Sequence, residues 1–452
     1  MKRMTVYAPE GMLGYGFPAT SLEEAMKHEP QVIAVDAGST DPGPYYLGAG
    51  TAFVSREMVK RDLSLILPAA RKQGVPFIVG SAGGAGGEPH LQWTLDIVKE
   101  VAKENNLHFR MAIIHGEIEK AYVRRKLAEG RILSYESGKP LTEKDVKDSI
   151  RIVGQMGVEP LIHALEAGAE VIVAGRAYDA CLIAAFPIMH GFDEGLAMHM
   201  GKILECGALI AVPRESDGAL GIIAEDHFLI FPADINKTTN VGLVSAHTLY
   251  EKSNPVTLGA PGGAIELQKT TFEQHDNRTV KVSGSKFNRI KPYTVKLEGV
   301  KKVGYRNVCI AGTHDPLMIK HMDEVIDFVK KKLKRDLAGR ISEDDYQVIF
   351  HLYGKDGVMG ALEPQKEVTS HELGIIIETV AKTQAMANTV AALARSASLH
   401  CQYEGRVATG GNLALMFSPA EFPAPEVYEF NVYHLMQVDD PCEPFPMKMV
   451  EV

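Results

Sequence analysis

QVIAVDAG, residues 31–38, is an apolar run that ends in polar residues, and three later stretches have the same form. They are VPFIVG (75–80), FRMAIIHGE (109–117) and EVIVAGR (170–176). Near-continuous apolar runs rich in Val and Ile are typical of strands that are covered on both faces. Apolar residues recur at helical spacing between them, over residues 55–73, 91–104 and 160–167. The alternation predicts an α/β fold with an N-terminal, doubly wound, mainly parallel sheet.

The texture of the sequence changes after residue 225. Short strand-like runs separated by turn residues, among them VGLVSAHTLY (241–250), predict a β-rich segment. The remainder mixes strands with helical stretches and predicts a small α+β C-terminal domain. We therefore expect three domains, an α/β domain with a glycine-rich loop at 1–225, a β-rich domain at 226–315 and the α+β domain at 316–452. Within the first, we expect an insertion or long crossover at 131–141 and a helix at 143–156.

Composition excludes several classes of protein. The chain has 452 residues, of which 48 are basic and 57 acidic, for a net charge of -9. Without a strongly basic footprint, a primary role on nucleic acid or anionic lipid is not expected. No apolar stretch is long enough to cross a membrane, and the N-terminus lacks the apolar core of a signal peptide. The five cysteines are scattered without a CxxC pair, which favours reduced thiols in the cytoplasm.

The ends of the four predicted strands carry chemistry-bearing side chains. Ligands of open parallel sheets bind at the carboxyl ends of the strands. The residues at these exits are Asp36, Ser39 and Thr40 after the first run, Ser81 after the second, His115 and Glu117 after the third, and Arg176 and Asp179 after the fourth. Because all four exits have such residues, the sequence predicts one polar site that they share.

A glycine-rich loop, GSAGGAGG at residues 80–87, lies between a predicted strand and a helix. Backbone amides followed by a helix N-terminus can form an anion cradle, for a carboxylate, a phosphate or the pyrophosphate of CoA. The residues that we expect to bind substrate there are Ser81, Gly83, Gly84, Gly86 and Gly87. The loop lacks the GK[ST] of a P-loop and does not fit GxGxxG. The alternative is a tightly packed turn.

Two of the exits predict acid/base groups. Asp36 closes an apolar strand, where a carboxylate is costly unless it is paired. It is a candidate catalytic residue, and the alternative is that it caps the following turn with Ser39 or Thr40. His115 and Glu117 share one face of an extended segment, as a base with its orienting carboxylate or as part of a metal site. The alternative for this pair is ordinary hydrogen bonding.

The fourth exit predicts a carboxylate clamp. Arg176 follows an apolar strand directly, and a guanidinium can grip both oxygens of a carboxylate. The alternative is an ion pair between Arg176 and Asp179 that holds a loop. Asp179 is also a candidate catalytic residue. Cys206 lies at the end of a predicted helix, the wrong end to lower a thiol pKa, and we expect it to be a buried small residue.

GRAYD (175–179) and ECG (205–207) stand in a longer pattern. Its pieces are VIVAGRAYDACLIAAFPIMHGF (171–192), GKILECGALI (201–210), HTLYEKSNPVTLGAP (247–261), RTVKVSGSK (278–286) and GYRNVCIAG (304–312). The chain resembles the acyclic terpene utilisation AtuA family in these pieces. The resemblance implies a place in the degradation of branched, acyclic isoprenoid carboxylates through CoA esters. It also implies a small, separately encoded companion subunit.

We expect an enzyme that acts on a small branched carboxylate, a hydro-lyase first and an isomerase second. The anion cradle, the clamp and the acid/base pair supply what such chemistry needs. The alternatives are an acyl-CoA-processing enzyme and a non-catalytic subunit of a hetero-oligomer. A homo-oligomer is expected. A divalent metal and a CoA ester substrate both stay open.

Overall fold

The computed structural model describes residues 2–135, 138–250 and 254–452, so part of the insertion predicted at 131–141 lies outside the described residues. Tertiary contacts divide the chain into two compact units. The first unit comprises Met1–Lys301 and Phe430–Val452, and the second unit comprises Lys302–Glu429. The boundaries predicted at 225 and 315 do not coincide with these units.

The elements are numbered in chain order. The helices are α1 (Ala19–Met26), α2 (Pro44–Ala49), α3 (Arg56–Gln73), α4 (Glu88–Glu104), α5 (Lys120–Ala128), α6 (Glu143–Asp148), α7 (Val158–Glu166), α8 (Asp179–Met189), α9 (Glu194–Leu204), α10 (Val241–Thr248), α11 (Pro316–Lys320), α12 (Met322–Leu337) and α13 (Gln384–His400). The strands are β1 (Met4–Ala8), β2 (Val32–Asp36), β3 (Phe77–Gly80), β4 (Arg110–Ile114), β5 (Ile132–Ser134), β6 (Arg151–Gln155), β7 (Val171–Ala174), β8 (Ala219–Ile223), β9 (His227–Pro232), β10 (Thr257–Ala260), β11 (Gly263–Glu266), β12 (Thr271–Gln274), β13 (Val280–Ser283), β14 (Lys286–Arg289), β15 (Tyr293–Thr313), β16 (Tyr346–Tyr353), β17 (Leu373–Ala381), β18 (Ala414–Leu415), β19 (Glu421–Val438) and β20 (Met447–Glu451).

The α/β fold is confirmed. The main sheet of the first unit has the strand order β12-β13-β9-β8-β1-β2-β3-β7-β4-β20. Its central strands, β1-β2-β3-β7-β4, are parallel, and the flanking strands are antiparallel. The four strands predicted from the sequence are β2, β3, β4 and β7, which lie side by side in this centre. Their carboxyl ends therefore meet at one edge of the sheet.

Helices cover both faces of this sheet. Successive side chains of a strand point to opposite faces, so each strand contributes apolar residues to both cores. In β2, Val32 and Ala34 belong to the core that contains α8 and α9. Ile33 and Val35 belong to the core formed with α3 and α4. All five residues of β2 are buried, which explains why its sequence is an almost continuous apolar run.

The β-rich texture after residue 225 does not produce a separate domain. β8 pairs with β9, and β9 pairs with β13, so these strands extend the main sheet beyond β1. β10, β11 and β14 form a small antiparallel sheet of their own within the first unit. Hydrogen bonds along the sheet edge are non-local, and a sequence pattern of short strands does not reveal which sheet they join.

The second unit is a small α+β layer. The part of β15 from Tyr305 to Thr313 pairs with β17, and β17 pairs with β16, all antiparallel. Apolar residues of α12 and α13 form one core with β17. It spans Lys302–Glu429, whereas the α+β domain was predicted at 316–452. Its end differs, because β20 hydrogen-bonds to β4 in the first unit.

Two predicted elements have another structure. VGLVSAHTLY was expected as a strand, but residues 241–248 form α10, and the Asn240 side chain accepts the Leu243 N–H at 3.0 Å as an N-cap. The helix expected over 143–156 ends at Asp148. Residues 151–155 form β6 instead, because they pair with residues 296–300 of β15. Of the helices that the structure describes, none combines the length and the apolar character needed to span a membrane.

Backbone crosses backbone where three strand exits meet. A Cβ on Gly86 or on Gly116 would lie 2.2 Å from the backbone nitrogen of Arg176. A Cβ on Gly175 would lie 2.5 Å from the backbone nitrogen of Gly116. We call Gly86, Gly116 and Gly175 the glycine crossing. Any larger residue at these positions would push two strand exits apart.

We expect Gly116→Ala to lower the free energy of unfolding by about 1–3 kcal/mol or more, because overpacked methyl groups displace backbone. Urea unfolding followed by circular dichroism measures the change. Gly259→Ala is the matched control, since a Cβ there meets nothing within 4 Å. Equal stabilities for the two variants would contradict the close crossing.

Candidate functional site

A cavity of about 530 Å³ opens at the carboxyl edge of the main sheet. Residues from the end of β2, the start of α8 and the segment after α9 form its walls. We call it the first cavity. Its charged lining residues are Asp36, Asp41, Asp179, Glu205, Arg214, Glu215 and Asp217. Its size is that of a small-molecule site.

Three of these carboxylates are each paired with a buried cation. The pairs are Asp179 with Arg176 (Oδ1 to Nη1, 3.2 Å), Asp217 with Lys237 (Oδ2 to Nζ, 2.8 Å) and Glu205 with Lys202. All three cations are at most 3% exposed. A buried charge is tolerated when a partner of opposite charge compensates it. A cation in the wall behind therefore compensates each of the three cavity carboxylates, and for Asp179 it opposes the rise in pKa that burial causes.

Asp36 has no such cation. Its Oδ2 accepts the Gly38 N–H at 3.0 Å, while its buried Oδ1 has no hydrogen-bond partner among the described residues. Burial raises the pKa of Asp36 well above its ordinary value, and the charges of Asp179 and Glu205 raise it further, against the effect of Arg176. Burial and the neighbouring charges therefore favour the neutral form of Asp36, which lines the cavity.

The two other residues of the β2 exit lie apart from each other. Ser39 lines the first cavity and donates its hydroxyl to Asp41 Oδ2 at 2.8 Å. Thr40 is buried and is not one of the described lining residues of the cavity. Asp36 caps the backbone at Gly38, so the expected partnership with Ser39 or Thr40 is not the one that forms.

Arg176 grips other parts of the chain. Its Nε donates to Glu298 Oε2 at 2.8 Å, and its Nη1 donates to Ala177 O at 2.9 Å and to Ser81 Oγ at 3.1 Å. Arg176 is 2% exposed and does not line the first cavity. The ion pair with Asp179, which was the alternative to a ligand clamp, is present. Arg176 thus supports the cavity wall from behind.

The glycine loop at 80–87 is buried throughout. A Cβ on Gly83 would lie 2.8 Å from His90 Cβ, and one on Gly84 would lie 3.1 Å from Phe53 Cβ. After Gly87, the N–H of Glu88 at the start of α4 is accepted by Glu117 Oε2 at 2.9 Å. The anion at this helix N-terminus is thus the chain's own carboxylate. These contacts favour the packed turn over the anion cradle.

The exit of β4 belongs to a second cavity of about 690 Å³, also in the first unit. His115 and Glu117 line it, together with Glu88 and Arg151. His115 Nδ1 lies 2.9 and 3.0 Å from the two carboxylate oxygens of Glu88, so the carboxylate that orients His115 is Glu88 and not Glu117. The single shared site is therefore divided, because the glycine crossing fills the sheet edge between the exits.

The donor groups do not form a metal cage. Among residues 2–135, 138–250 and 254–452, no three His, Cys, Asp or Glu side chains are grouped as ligands of one metal ion.

A family model provides the relationship to known proteins. The model of the acyclic terpene utilisation family protein AtuA matches residues 54–214 and 227–420. The chain belongs to the AtuA family. The resemblance seen in GRAYD and ECG is thereby confirmed. No curated protein and no solved structure matches the chain significantly.

In this AtuA-family protein, the sequence pattern did not predict several of the residues that line the first cavity. Cys206 was expected to be buried structure, yet it lines the first cavity, and burial raises the pKa of its thiol, so that it is uncharged. Arg214 and Asp217 follow α9 in the chain and are far in sequence from the strand exits, although they line the same cavity. The ECG element itself was the signal, since it ends α9 at the cavity.

Two buried carboxyls hold one wall of the first cavity. Glu10 Oε2 accepts the Gly16 N–H at 2.9 Å, and Asp62 Oδ2 accepts the Gly14 N–H at 3.0 Å. Burial raises the pKa of Glu10 to about 9, and the charge of Asp62 adds to the shift. Between them they fix the turn that brings Met12 and Tyr15 to the cavity.

This pair makes stability depend on pH. The raised pKa of Glu10 contributes stability that is fully present below its unfolded pKa of about 4.3 and is lost as the pH rises towards about 9. We expect Glu10→Gln, which keeps a hydrogen-bond donor towards Asp62, to remove up to about 1.4 kcal/mol per pH unit of this slope. Urea unfolding between about pH 5 and about pH 9 measures the slope.

Glu23→Gln, on the exposed face of α1, is the control and should leave the slope unchanged. An identical slope in Glu10→Gln and the wild type would show that Glu10 is not protonated in the folded protein.

Proposed function

We propose that this AtuA-family protein is an enzyme of acyclic terpene utilisation that transfers protons on a small branched carboxylate in the first cavity. A hydro-lyase reaction is favoured, and an isomerase reaction comes second. The family supports the terpene context. The observation that carries the chemistry is Asp36, a buried carboxyl without a cation partner, with a raised pKa, in a cavity where the neighbouring Asp179 and Glu205 are paired with cations.

Two carboxyls with different surroundings can act as acid and base. For loss of water, Asp36 gives its proton to the departing hydroxyl, which leaves as water. Asp179, next to Arg176, takes the proton from the adjacent carbon, and the electrons of that C–H bond form the new C=C bond. The same two groups move a double bond when one donates and the other removes a proton at different carbons.

The cavity also has groups suited to the rest of such a substrate. Arg214 lines the cavity and is the candidate to hold the substrate carboxylate, in the role that the sequence assigned to Arg176. Met12, Phe53 and Leu209 provide apolar wall for a branched hydrocarbon chain. Charged hydrogen bonds fix orientation, while apolar contacts tolerate length and branching.

The charge of the cavity favours one alternative, an acyl-CoA-processing enzyme. Six carboxyl groups line it against one arginine. A free carboxylate is repelled by such a wall, whereas the acyl part of a thioester is uncharged. A branched acid and its thioester, offered side by side in D2O, separate the alternatives through which one gains deuterium or exchanges water. No reaction of either would favour a non-catalytic subunit.

The assembly is a further part of the proposal. We expect a cytoplasmic homo-oligomer that is joined by a small companion subunit, as the family resemblance implies. Size-exclusion chromatography with light scattering, on protein purified without a tag from its source, reports both.

We expect Asp36→Asn to lower turnover by about 10²–10⁴, the usual cost of losing a positioned proton donor, and to leave the melting temperature nearly unchanged. Deuterium incorporation and loss of water, followed by NMR over a panel of branched hydroxy acids and their thioesters, measure turnover. Asp96→Asn is the matched control, because Asp96 is exposed on α4 and bonds only to Gln92 among the described residues. Wild-type turnover in Asp36→Asn would remove Asp36 from the reaction.

We expect Arg214→Gln to raise the Michaelis constant about tenfold or more for a free acid, because a charged hydrogen bond is worth about 1.5–3 kcal/mol. The turnover number should change little. Steady-state kinetics with a free acid and with its thioester provide the test, with Arg340→Gln on the exposed surface of the second unit as the control. An unchanged constant for the free acid would mean that Arg214 does not hold a carboxylate.

A further inference from the structure

Four side chains of alternating charge lie in a row behind the first cavity. Lys296 Nζ is 2.9 Å from Glu298 Oε1, and Glu298 Oε2 accepts from Arg176 Nε at 2.8 Å. Arg176 Nη1 then lies 3.2 Å from Asp179 Oδ1. We call Lys296, Glu298, Arg176 and Asp179 the charge row. It begins on β15 and ends at the cavity.

Glu298 is the unexpected member of this row. It is 0% exposed, on a strand more than a hundred residues after Arg176, and its β15 neighbourhood pairs with β6. Burial alone would raise the pKa of Glu298, but Arg176 and Lys296 lower it to about 2. Taking these three charges out of water costs free energy even though they are paired. The arrangement is therefore weak evidence for a role in stability, which leaves room for a role at the cavity.

We propose that Glu298 is a positioning residue for the first cavity. Its carboxylate holds Arg176 in the place where the guanidinium contacts Asp179. This inference rests on the proposed function, in which Asp179 and Asp36 are the reacting carboxyls. Glu298 touches no cavity space itself, since it is not among the described lining residues. It acts on the site through Arg176 alone.

The balance of charge around the two carboxyls explains what the row controls. Asp36 faces Asp179 on α8, Arg176 after β7 and Glu205 after α9. Asp179 faces Arg176, Lys202 and Asp41. If Glu298 loses its charge, no anion on that side offsets the positive charge of Arg176. The pKa values of Asp36 and Asp179 then fall, and both carboxyls release their protons more readily.

Glu298→Gln is the main variant. We expect the alkaline limb of the pH–rate profile, where Asp36 loses its proton, to move to lower pH by about half a unit or more, because an uncompensated cation favours the charged carboxylate. Lys296→Met leaves Glu298 more negative and should move the limb the other way. Glu170→Gln is the control, because it breaks another Arg–Glu pair, with Arg71, at the opposite end of β7 from Asp179. It should leave the limb in place.

A second readout needs no substrate. Cys206 lines the same cavity, and its thiol responds to Asp179 and Asp36 among other groups. Besides burial, Asp179 and Asp36 raise the pKa of the Cys206 thiol when they are charged. Alkylation of Cys206 by iodoacetamide at one alkaline pH, mapped by mass spectrometry, should therefore be slower in Glu298→Gln than in the wild type, by up to about threefold, the change that half a pH unit implies. Cys442, half-buried in the same unit, is the internal reference.

The outcomes separate the two proposals. A moved limb and a slower Cys206 reaction support the role of Glu298. If no substrate is turned over, the proposed function fails, and Cys206 alone decides for or against Glu298. If Glu298→Gln does not fold, Lys296→Met decides, through faster alkylation of Cys206. Unchanged Cys206 reactivity and an unmoved limb in the variants that fold would overturn the inference, even where the melting temperature falls.

Discussion

The close approach of three strand exits at Gly86, Gly116 and Gly175 is the constraint on which the edge of the sheet depends. Backbone touches backbone there, so no side chain can enter and no ligand can bind in the crossing. The polar residues that leave the strands are therefore sent to two separate cavities. The crossing also brings the backbone of Arg176 against Gly86, which directs the guanidinium inward, beneath the cavity, where it pairs with the chain's own carboxylates.

Four of the carboxyls that line the first cavity differ in their partners. Asp179, Glu205 and Asp217 each have a buried cation behind them, and these ion pairs let carboxylates line an otherwise enclosed wall. Asp36 stands among them without a cation, at the end of a strand that is buried along its whole length. Low dielectric and neighbouring negative charges then favour its neutral form. In the reaction that we propose, this difference between paired and unpaired carboxyls separates the proton donor from the proton acceptor.

The sequence predicted the parallel centre of the sheet because apolar runs of this kind are a local property. It also brought Asp36 and Asp179 to one edge, since parallel strands end together. It could not predict that β9 and β13 extend the same sheet, that α10 replaces a strand, or that Glu298 reaches Arg176. Those outcomes depend on pairing between distant segments and on a single cap at Asn240, for which periodicity carries no information. The glycine-rich sequence was ambiguous for another reason, since a close backbone crossing and an anion cradle both require glycine.

The last strand has a consequence for how the protein is made. β20 joins the main sheet beside β4, although some three hundred residues of chain, including the whole second unit, lie between them in sequence. During synthesis, one flank of the main sheet therefore stays open until the ribosome has delivered β20. The second unit is continuous in sequence and can fold earlier. A chain truncated just before β20 would leave β4 as a bare edge, prone to pair with another molecule.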